Sequence, residues 1–344
     1  MENDAPELNG QLRDALALSR ALVAAYGGPE KGLEGARRSA EWARAHWNEG
    51  GPQMNTASEV CIPVPGGDVQ AVIYRPDAGL PLRPGFVFLH GGGFKTGSHW
   101  ANDRQMREIA QAWGGIVVSA NYLHAPEHVF PAAVNQTAAL LRTLHARGSE
   151  WGIDGQQLAC GGNSAGASVS FGAAVDLGRV PWLRAAVGIV GAFSADTSTE
   201  SMLRYGNVGL FPDLASVPSI FDDYLPAEAD RNDPRANLLL ADPRLLPTTF
   251  LAAAEFDVFR DASAALARRL ASAARLHRLK VYPGMSHLFF GFSATVAVAK
   301  ECVDDIGDFL RETLPISQND ECRQRAAGLP HLPGDSIAKP MTDN

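Results

Sequence analysis

The sequence predicts an α/β fold with a mostly parallel, doubly wound sheet and a helical cap. From about residue 85 to residue 314, short apolar runs alternate with helical stretches, the pattern of strand–helix–strand units. Two of the runs, 85–90 and 115–122, are apolar at successive positions, which is typical of strands buried on both faces. Two helices before the first strand and a segment over 194–234 fall outside this alternation, and they predict the cap.

The elements follow from the spacing of apolar residues. Leucines at helical spacing predict a helix within 6–26, and Trp42 and Trp47 anchor a second over 33–47. Apolar stretches on both sides of Gly66-Gly67-Asp68 predict a hairpin. The serine strand and helix, 157–160 and 165–177, are treated below. The other expected helices are 102–113, 131–147, 261–275 and 293–314, and the other expected strands are 183–193, 248–254 and 279–282.

These elements divide the chain into four parts. Residues 1–52 are expected to form the N-terminal cap helices, and residues 53–193 and 235–314 the catalytic core. Residues 194–234 are expected to be a second cap segment. The tail, 315–344, is rich in polar residues, glycine and proline, and is expected to be poorly ordered.

Composition narrows the class of protein. With 46% apolar and 20% charged residues, the 344-residue chain resembles an ordinary globular protein. A net charge of −8 argues against nucleic acid or an anionic membrane as partner. No apolar run approaches the roughly 18 residues of a membrane span, and no signal peptide is evident, so a cytoplasmic location is expected. The four scattered cysteines predict neither a zinc site nor a disulfide framework.

A G-x-S-x-G pattern at Gly162–Gly166 places Ser164 between a predicted strand and a predicted helix of small residues. In that context the serine lies on a sharp turn with strained dihedral angles, which exposes its hydroxyl above the sheet. The flanking glycines let helix and strand pass close together. Ser164 is therefore the candidate nucleophile.

A glycine run follows the strand 85–90, in the sequence His90-Gly91-Gly92-Gly93-Phe94. Such a run lets backbone N–H groups point at a developing negative charge, as in an oxyanion hole. No Gly-Lys-Ser/Thr follows, so a phosphate-binding loop is a poor alternative. His90 is expected to orient the loop through its hydrogen bonds and not to transfer protons.

A serine nucleophile needs a base, and only His277, His287 and His331 follow it with room for an acid between. His331 lies in the tail, and His277 lies among basic residues typical of a solvated surface. His287 follows a strand and precedes Leu288, where one side of the ring can be buried. His287 is therefore the expected base.

Three carboxylates compete for the third position. Asp257 directly follows the apolar stretch 249–256, at the carboxyl edge where open α/β sheets hold their sites. Asp261 lies where a helix N-cap is expected, and Glu255 belongs to the end of the strand. Asp257 is therefore the expected acid.

Together these motifs resemble the hormone-sensitive-lipase-like family of α/β-hydrolases, which are mostly carboxylesterases. The resemblance covers about residues 70–315 and rests on HGGGF (90–94), G-x-S-A-G (162–166), AEFDVFRD (254–261), GMSHLFF (284–290), YRPD (74–77) and APEHVFP (125–131). It implies Ser164, Asp257 and His287 as a catalytic triad, and the N–H groups of Gly92, Gly93 and Ala165 as the oxyanion hole. It also implies a helical cap and suggests a homodimer.

The function expected from these residues is hydrolysis of small carboxylic esters through an acyl-serine, with no cofactor. The apolar side chains of the cap suggest an enclosed pocket, which favours an esterase over a true lipase. An amidase, a lactonase or a natural-product deacetylase could use the same residues. A non-catalytic receptor resembling the gibberellin receptors is expected to lack the histidine, and His287 is present.

Two further points complete the expectations. His124 and His128 have no carboxylate neighbours at ligand spacing, so no metal site is predicted. Asn163 stands where the family usually has Asp or Thr, and the sequence offers no role for it.

Overall fold

The structure of the protein, a computed structural model, describes residues 7–28 and 30–316. His331 and all but the first two residues of the predicted tail lie outside the described residues, so the expectation for the tail stays a prediction.

An eight-stranded sheet forms the centre of the molecule, with the strand order β1-β2-β4-β3-β5-β6-β7-β8. The hairpin β1–β2 and the pair β2–β4 are antiparallel, and all other pairs are parallel. The α/β fold with a mostly parallel, doubly wound sheet is thereby confirmed. The strands are β1 (Thr56–Ile62), β2 (Val69–Arg75), β3 (Arg83–Leu89), β4 (Ile116–Ala120), β5 (Ile153–Asn163), β6 (Leu183–Ile189), β7 (Thr248–Phe256) and β8 (Leu276–Ser286).

Helices cover both faces of the sheet, because strands that are apolar on both sides must be buried on both sides. On one face α4, α5 and α8 pack around Leu141, Phe171 and Leu266. On the other, α3 and α9 pack around Ile109 and Phe309. The helices are α1 (Gly10–Ala25), α2 (Gly32–Asn48), α3 (Asp103–Trp113), α4 (Ala132–Arg147), α5 (Ala165–Leu177), α6 (Glu200–Tyr205), α7 (Ser216–Tyr224), α8 (Arg260–Ser272) and α9 (Ala297–Thr313).

The largest differences from the predicted boundaries lie beside the carboxyl ends of strands. β6 ends at Ile189, four residues before the predicted end, and Val190 turns the chain with φ 43°. β8 runs on to Ser286, beyond the predicted end at residue 282. α9 begins at Ala297, four residues after its predicted start at residue 293, and a 3-10 turn at Phe289–Phe292 precedes it. Apolar character continues through these turns, so periodicity alone did not mark where the elements stop.

Two parts of the chain lie against this carboxyl edge. From α2, Trp47 is buried edge-on to Phe292, with ring centroids 4.7 Å apart. From α7, Tyr224 stacks on Phe94 of the glycine loop at 3.9 Å. The N-terminal helices and the segment that carries α6 and α7 therefore both contact loops at the strand ends. Within the described residues, no helix is long and apolar enough to cross a membrane.

Candidate active site

Ser164 lies at the turn between β5, which ends at Asn163, and α5, which begins at Ala165. Its dihedral angles, φ 54° and ψ −122°, lie outside the regions that non-glycine residues usually occupy. The turn is held because the Ser164 N–H donates to the Ile189 carbonyl of β6 at 2.9 Å. The strained serine predicted from the G-x-S-x-G pattern is therefore present.

The two glycines of the pattern are needed because the turn packs against the end of β3. A Cβ on Gly162 would lie 2.4 Å from the carbonyl oxygen of Leu89, and a Cβ on Gly166 would lie 2.2 Å from the same atom. Neither site has space for a side chain, so the turn is pressed directly against the strand that leads into the glycine run.

His287 follows β8 and lies between Ser164 and Asp257. Its Nε2 is 2.8 Å from Ser164 Oγ, and its Nδ1 is 2.9 Å from Asp257 Oδ2. His287 and Asp257 are both buried, and the second carboxylate oxygen accepts from the Phe259 N–H at 3.1 Å. The structure thus joins the three residues chosen from the sequence into one hydrogen-bonded chain.

The competing residues have other contacts. Asp261 accepts from the Ser201 N–H at 2.7 Å, and Glu255 accepts from the Gly284 N–H at 2.7 Å. His277 lies 3.6 Å from Glu312. The expectation that Asp261 is an N-cap is wrong, because α8 already begins at Arg260 and Asp261 lies in its first turn.

The glycine run turns back on itself beside Ser164. Gly92 has φ 136°, and its carbonyl accepts from the Thr96 N–H at 3.0 Å. A Cβ on Gly92 would lie 2.0 Å from the Thr96 carbonyl oxygen, so only glycine fits. Among the described residues the N–H groups of Gly92 and Gly93 have no acceptor. Ala165 is the first residue of α5, a position whose N–H has no acceptor within a helix.

Asn163 joins the glycine run to the serine turn, a role that the sequence did not reveal. Its Oδ1 accepts from the Gly91 N–H at 2.8 Å. The departure from the family's usual Asp or Thr keeps a side-chain oxygen acceptor at this position. Thus a residue next to the serine fixes the loop that carries two of the three predicted oxyanion donors.

His90 supports the same loop from below. It is fully buried and stacks on Tyr122, whose hydroxyl donates to the His90 carbonyl at 3.1 Å. Its Nδ1 lies 2.8 Å from the Gly91 carbonyl oxygen, so this nitrogen carries the proton. Burial lowers the pKa of His90 to about 3, so the ring stays neutral near pH 7. This geometry agrees with a role in orienting the loop.

A cavity of about 520 Å³ opens above these residues. Ser164, His287 and the three glycines 91–93 line its floor, and residues of α2 and of 211–220 line its walls. A second cavity of similar volume lies between α1 and residues 209–211, and the two share Ser19, Phe211 and Leu288. The lining of both is mainly apolar.

This sheet, with a serine on a strained turn after a central strand, defines an α/β-hydrolase. The family model described as "alpha/beta hydrolase fold" matches residues 86–291, which contain every candidate site residue. The chain belongs to that family, and within it to the hormone-sensitive-lipase-like α/β-hydrolases.

Solved structures show the same likeness over most of the chain. A hyperthermophilic esterase from the archaeon Pyrobaculum calidifontis is 28% identical with a TM-score of 0.79, over 89% of this chain and 98% of that one. EstE1, a thermostable carboxylesterase from a metagenomic library, is 26% identical with a TM-score of 0.78, over 83% and 99%. An α/β-hydrolase from the metagenome of Lake Arreo, Spain, is 27% identical with a TM-score of 0.79, over 88% and 98%.

Proposed function

We propose that the protein cleaves small carboxylic esters through an acyl-serine intermediate, with Ser164, His287 and Asp257 as its catalytic triad. That it is an enzyme, a serine hydrolase of the carboxylesterase type, follows from its family and from the esterases it resembles. The observation that carries the assignment of residues is the chain of hydrogen bonds at 2.8 and 2.9 Å, which ends in a cavity at Ser164.

In the first half of the reaction, His287 Nε2 takes the proton of Ser164 as its oxygen attacks the ester carbonyl. The N–H groups of Gly92, Gly93 and Ala165 stabilise the oxyanion of the tetrahedral intermediate. Each such donor contributes roughly 10²–10³ in rate in comparable sites. The C–O bond then breaks, and the protonated His287 gives its proton to the leaving alcohol.

In the second half, a water molecule takes the place of the alcohol. His287 removes its proton as the water oxygen attacks the acyl-serine carbonyl, and a second oxyanion forms at the same N–H groups. Collapse releases the carboxylic acid and returns the proton to Ser164. Asp257 keeps the Nδ1 proton of His287 in place throughout, so that Nε2 faces the serine.

The preference for small substrates rests on the enclosed shape of the site. The first cavity holds about 520 Å³, enough for a compact ester and too little for the chains of a triacylglycerol. The apolar cavity beside α1 could receive a longer acyl chain, so acyl length is a direct test of this part of the proposal.

A homodimer is the proposed assembly, and the edge of the sheet at β8 supports it. β8 pairs only with β7 among the described residues, and Val281 on it is 44% exposed. Such an edge can pair with a second copy. Light scattering after size exclusion would give about twice the chain mass for a dimer, and the monomer mass would contradict it. A cytoplasmic location stays a prediction.

The experiment for the reaction is hydrolysis of p-nitrophenyl esters with two to twelve acyl carbons, beside Ser164→Ala. We expect the wild type to be fastest on short chains and the variant to retain only background activity. No hydrolysis at any acyl chain length, or equal rates in the wild type and Ser164→Ala, would contradict the proposed function. A maximum at ten or twelve carbons would overturn the preference for small acyl groups alone.

A further inference from the structure

Among the described residues that line the cavity above Ser164, one cation has no partner. Besides His287, its ionisable lining residues are Glu41, Arg44 and Lys95. Lys95 is paired with Asp223 at 2.5 Å. Glu41, one turn before Arg44 on α2, is exposed, so water screens its charge. Within residues 7–28 and 30–316, the Arg44 guanidinium makes no hydrogen bond or ion pair.

Arg44 is nevertheless held in a defined place. A Cβ on Gly291 would lie 2.0 Å from Arg44 Nη1, so the guanidinium occupies the space left by the missing side chain. It also lies over the ring of Phe292, 6.0 Å from the centroid. Phe292 is in turn fixed by Trp47. Contacts on two sides therefore position the charge at the cavity wall.

Arg44 is half-buried beside apolar walls, so its guanidinium is only partly hydrated and an anion that joins it is favoured. Burial lowers the pKa of Arg44, yet arginine ordinarily titrates so far above neutrality that the group stays charged. A guanidinium binds a carboxylate with two parallel hydrogen bonds. Because this is the only unpaired cation on the described cavity wall, a singly charged group matches it best.

We propose that Arg44 is a specificity-determining residue that selects esters carrying a carboxylate away from the scissile bond. Half-esters of dicarboxylic acids and hydroxy acids acylated on the hydroxyl group belong to this class. The carboxylate is bound and not transformed, so the reaction remains ester hydrolysis. This inference rests on the proposed function, because it concerns the same cavity.

The test compares carboxylate esters with neutral esters of matched shape. One pair is p-nitrophenyl hydrogen adipate and its methyl ester, which place the charge on the acyl side. The other pair is 4-acetoxybenzoate and its methyl ester, which place it on the alcohol side. The quantity measured is the ratio of kcat/KM for the charged ester to kcat/KM for the neutral one, after subtraction of the rate with Ser164→Ala.

Comparing this ratio between wild type and Arg44→Met cancels the intrinsic reactivity of each ester. In at least one pair we expect the ratio to fall at least tenfold in the variant, equivalent to about 1.4 kcal/mol. The matched control is Arg38→Met on the same helix, which removes an exposed charge paired with Glu30 and should leave the ratio unchanged. A fall of less than tenfold in both pairs would overturn the inference.

A second measurement needs only the wild type, in case Arg44→Met does not fold. Benzoate should inhibit neutral-ester hydrolysis competitively at least tenfold more tightly than benzamide, and the difference should shrink in high salt. Equal inhibition by the two would contradict the role of Arg44. If neutral esters are hydrolysed and charge has no effect, this inference alone fails. If no ester is hydrolysed at all, the proposed function fails with it.

Discussion

The carboxyl edge of the sheet is held together by different contacts from those that hold the helices lying against it. These helices, α1, α2, α6 and α7, are called the cover. At the edge, strands and glycine turns fix each reactive group, and polar contacts between main chain and side chain join them, as between Gly91 and Asn163. In the cover, aromatic side chains such as Trp47 and Tyr224 pack against loops, and charged side chains such as Arg37 attach it to the core. The edge therefore determines the chemistry, and the cover shapes what can reach it.

The largest expected effect comes from comparing substitutions of two aspartates at the carboxyl edge, Asp257 and Asp261. Asp257→Asn should lower kcat/KM by about 10⁴, by analogy with other triads, because His287 loses the carboxylate that sets its tautomer and stabilises its protonated form. Asp261→Asn is the matched control, since its carboxylate accepts from the Ser201 N–H and from Arg260 and not from His287, and it should cost little activity. Steady-state kinetics give kcat/KM for both variants. A larger loss of kcat/KM in Asp261→Asn than in Asp257→Asn would mean that Asp261 is the acid of the triad.

Substitution of Asn163 tests whether its hydrogen bond to the glycine run aligns the oxyanion donors with Ser164. Asn163→Ala removes the acceptor for the Gly91 N–H, and we expect kcat to fall by about 10–100-fold because the oxyanion donors lose their alignment. KM should change little if the effect is on the transition state. Asn163→Asp keeps an oxygen at this position and should restore most of the activity. Equal losses in both variants would contradict a role in positioning.

The sequence revealed much of the edge because its parts are local and chemically specific. A serine between two glycines, a glycine run and a histidine after a strand each occupy a few consecutive residues, and each sits where an open α/β sheet holds its site. The contact between Asn163 and Gly91 joins residues 72 positions apart, and no local pattern encodes it. The candidate catalytic residues could therefore be predicted from the sequence, but the hydrogen bond between Asn163 and Gly91 could not.

The contacts of the cover could not be predicted from the sequence, for a physical reason. Its helices were visible from apolar spacing, but helical spacing reports which residues are buried and not what they are buried against. Arg44 looks in the sequence like any surface arginine of an amphipathic helix. Only the position of Gly291, nearly 250 residues later, shows that its guanidinium lies against the cavity wall.

His90, which packs beneath the glycine run, should make the free energy of unfolding depend on pH. The pKa of His90 is about 3 in the folded protein and near 6.5 in an unfolded chain. Between these values the unfolded chain binds a proton that the folded protein does not, so stability falls as pH drops below about 6.5 and is unaffected above it. From pH 7 to pH 5 this group should cost about 2 kcal/mol of unfolding free energy.

Urea denaturation at pH 7 and pH 5 measures that effect. His90→Asn should lose less stability than the wild type over this interval, whatever its stability at pH 7. His128→Asn, which changes an exposed histidine, serves as the control and should follow the wild type. The same pH dependence in all three proteins would show that His90 is not the group responsible.

The smallest expected effect concerns the attachment of the cover. Arg37 of α2 donates to the Lys95 carbonyl at 2.9 Å and to both carboxylate oxygens of Glu127, at 2.8 and 2.7 Å. Arg37→Met should raise KM by a few fold and leave kcat within about threefold, because the cavity wall loosens while the triad is untouched. Arg38→Met is again the control. A loss confined to kcat would mean that the cover takes part in the chemistry.

The central claim is that Ser164 is the nucleophile, and covalent trapping tests it most directly. A p-nitrophenyl dialkyl phosphate reacts with an activated serine, releases p-nitrophenol and leaves a stable phosphoryl adduct. Mass spectrometry with peptide mapping should find one adduct per chain, on Ser164, with none in Ser164→Ala and greatly slowed formation in Asp257→Asn. An adduct on another residue, or equal labelling of wild type and Ser164→Ala, would contradict the account.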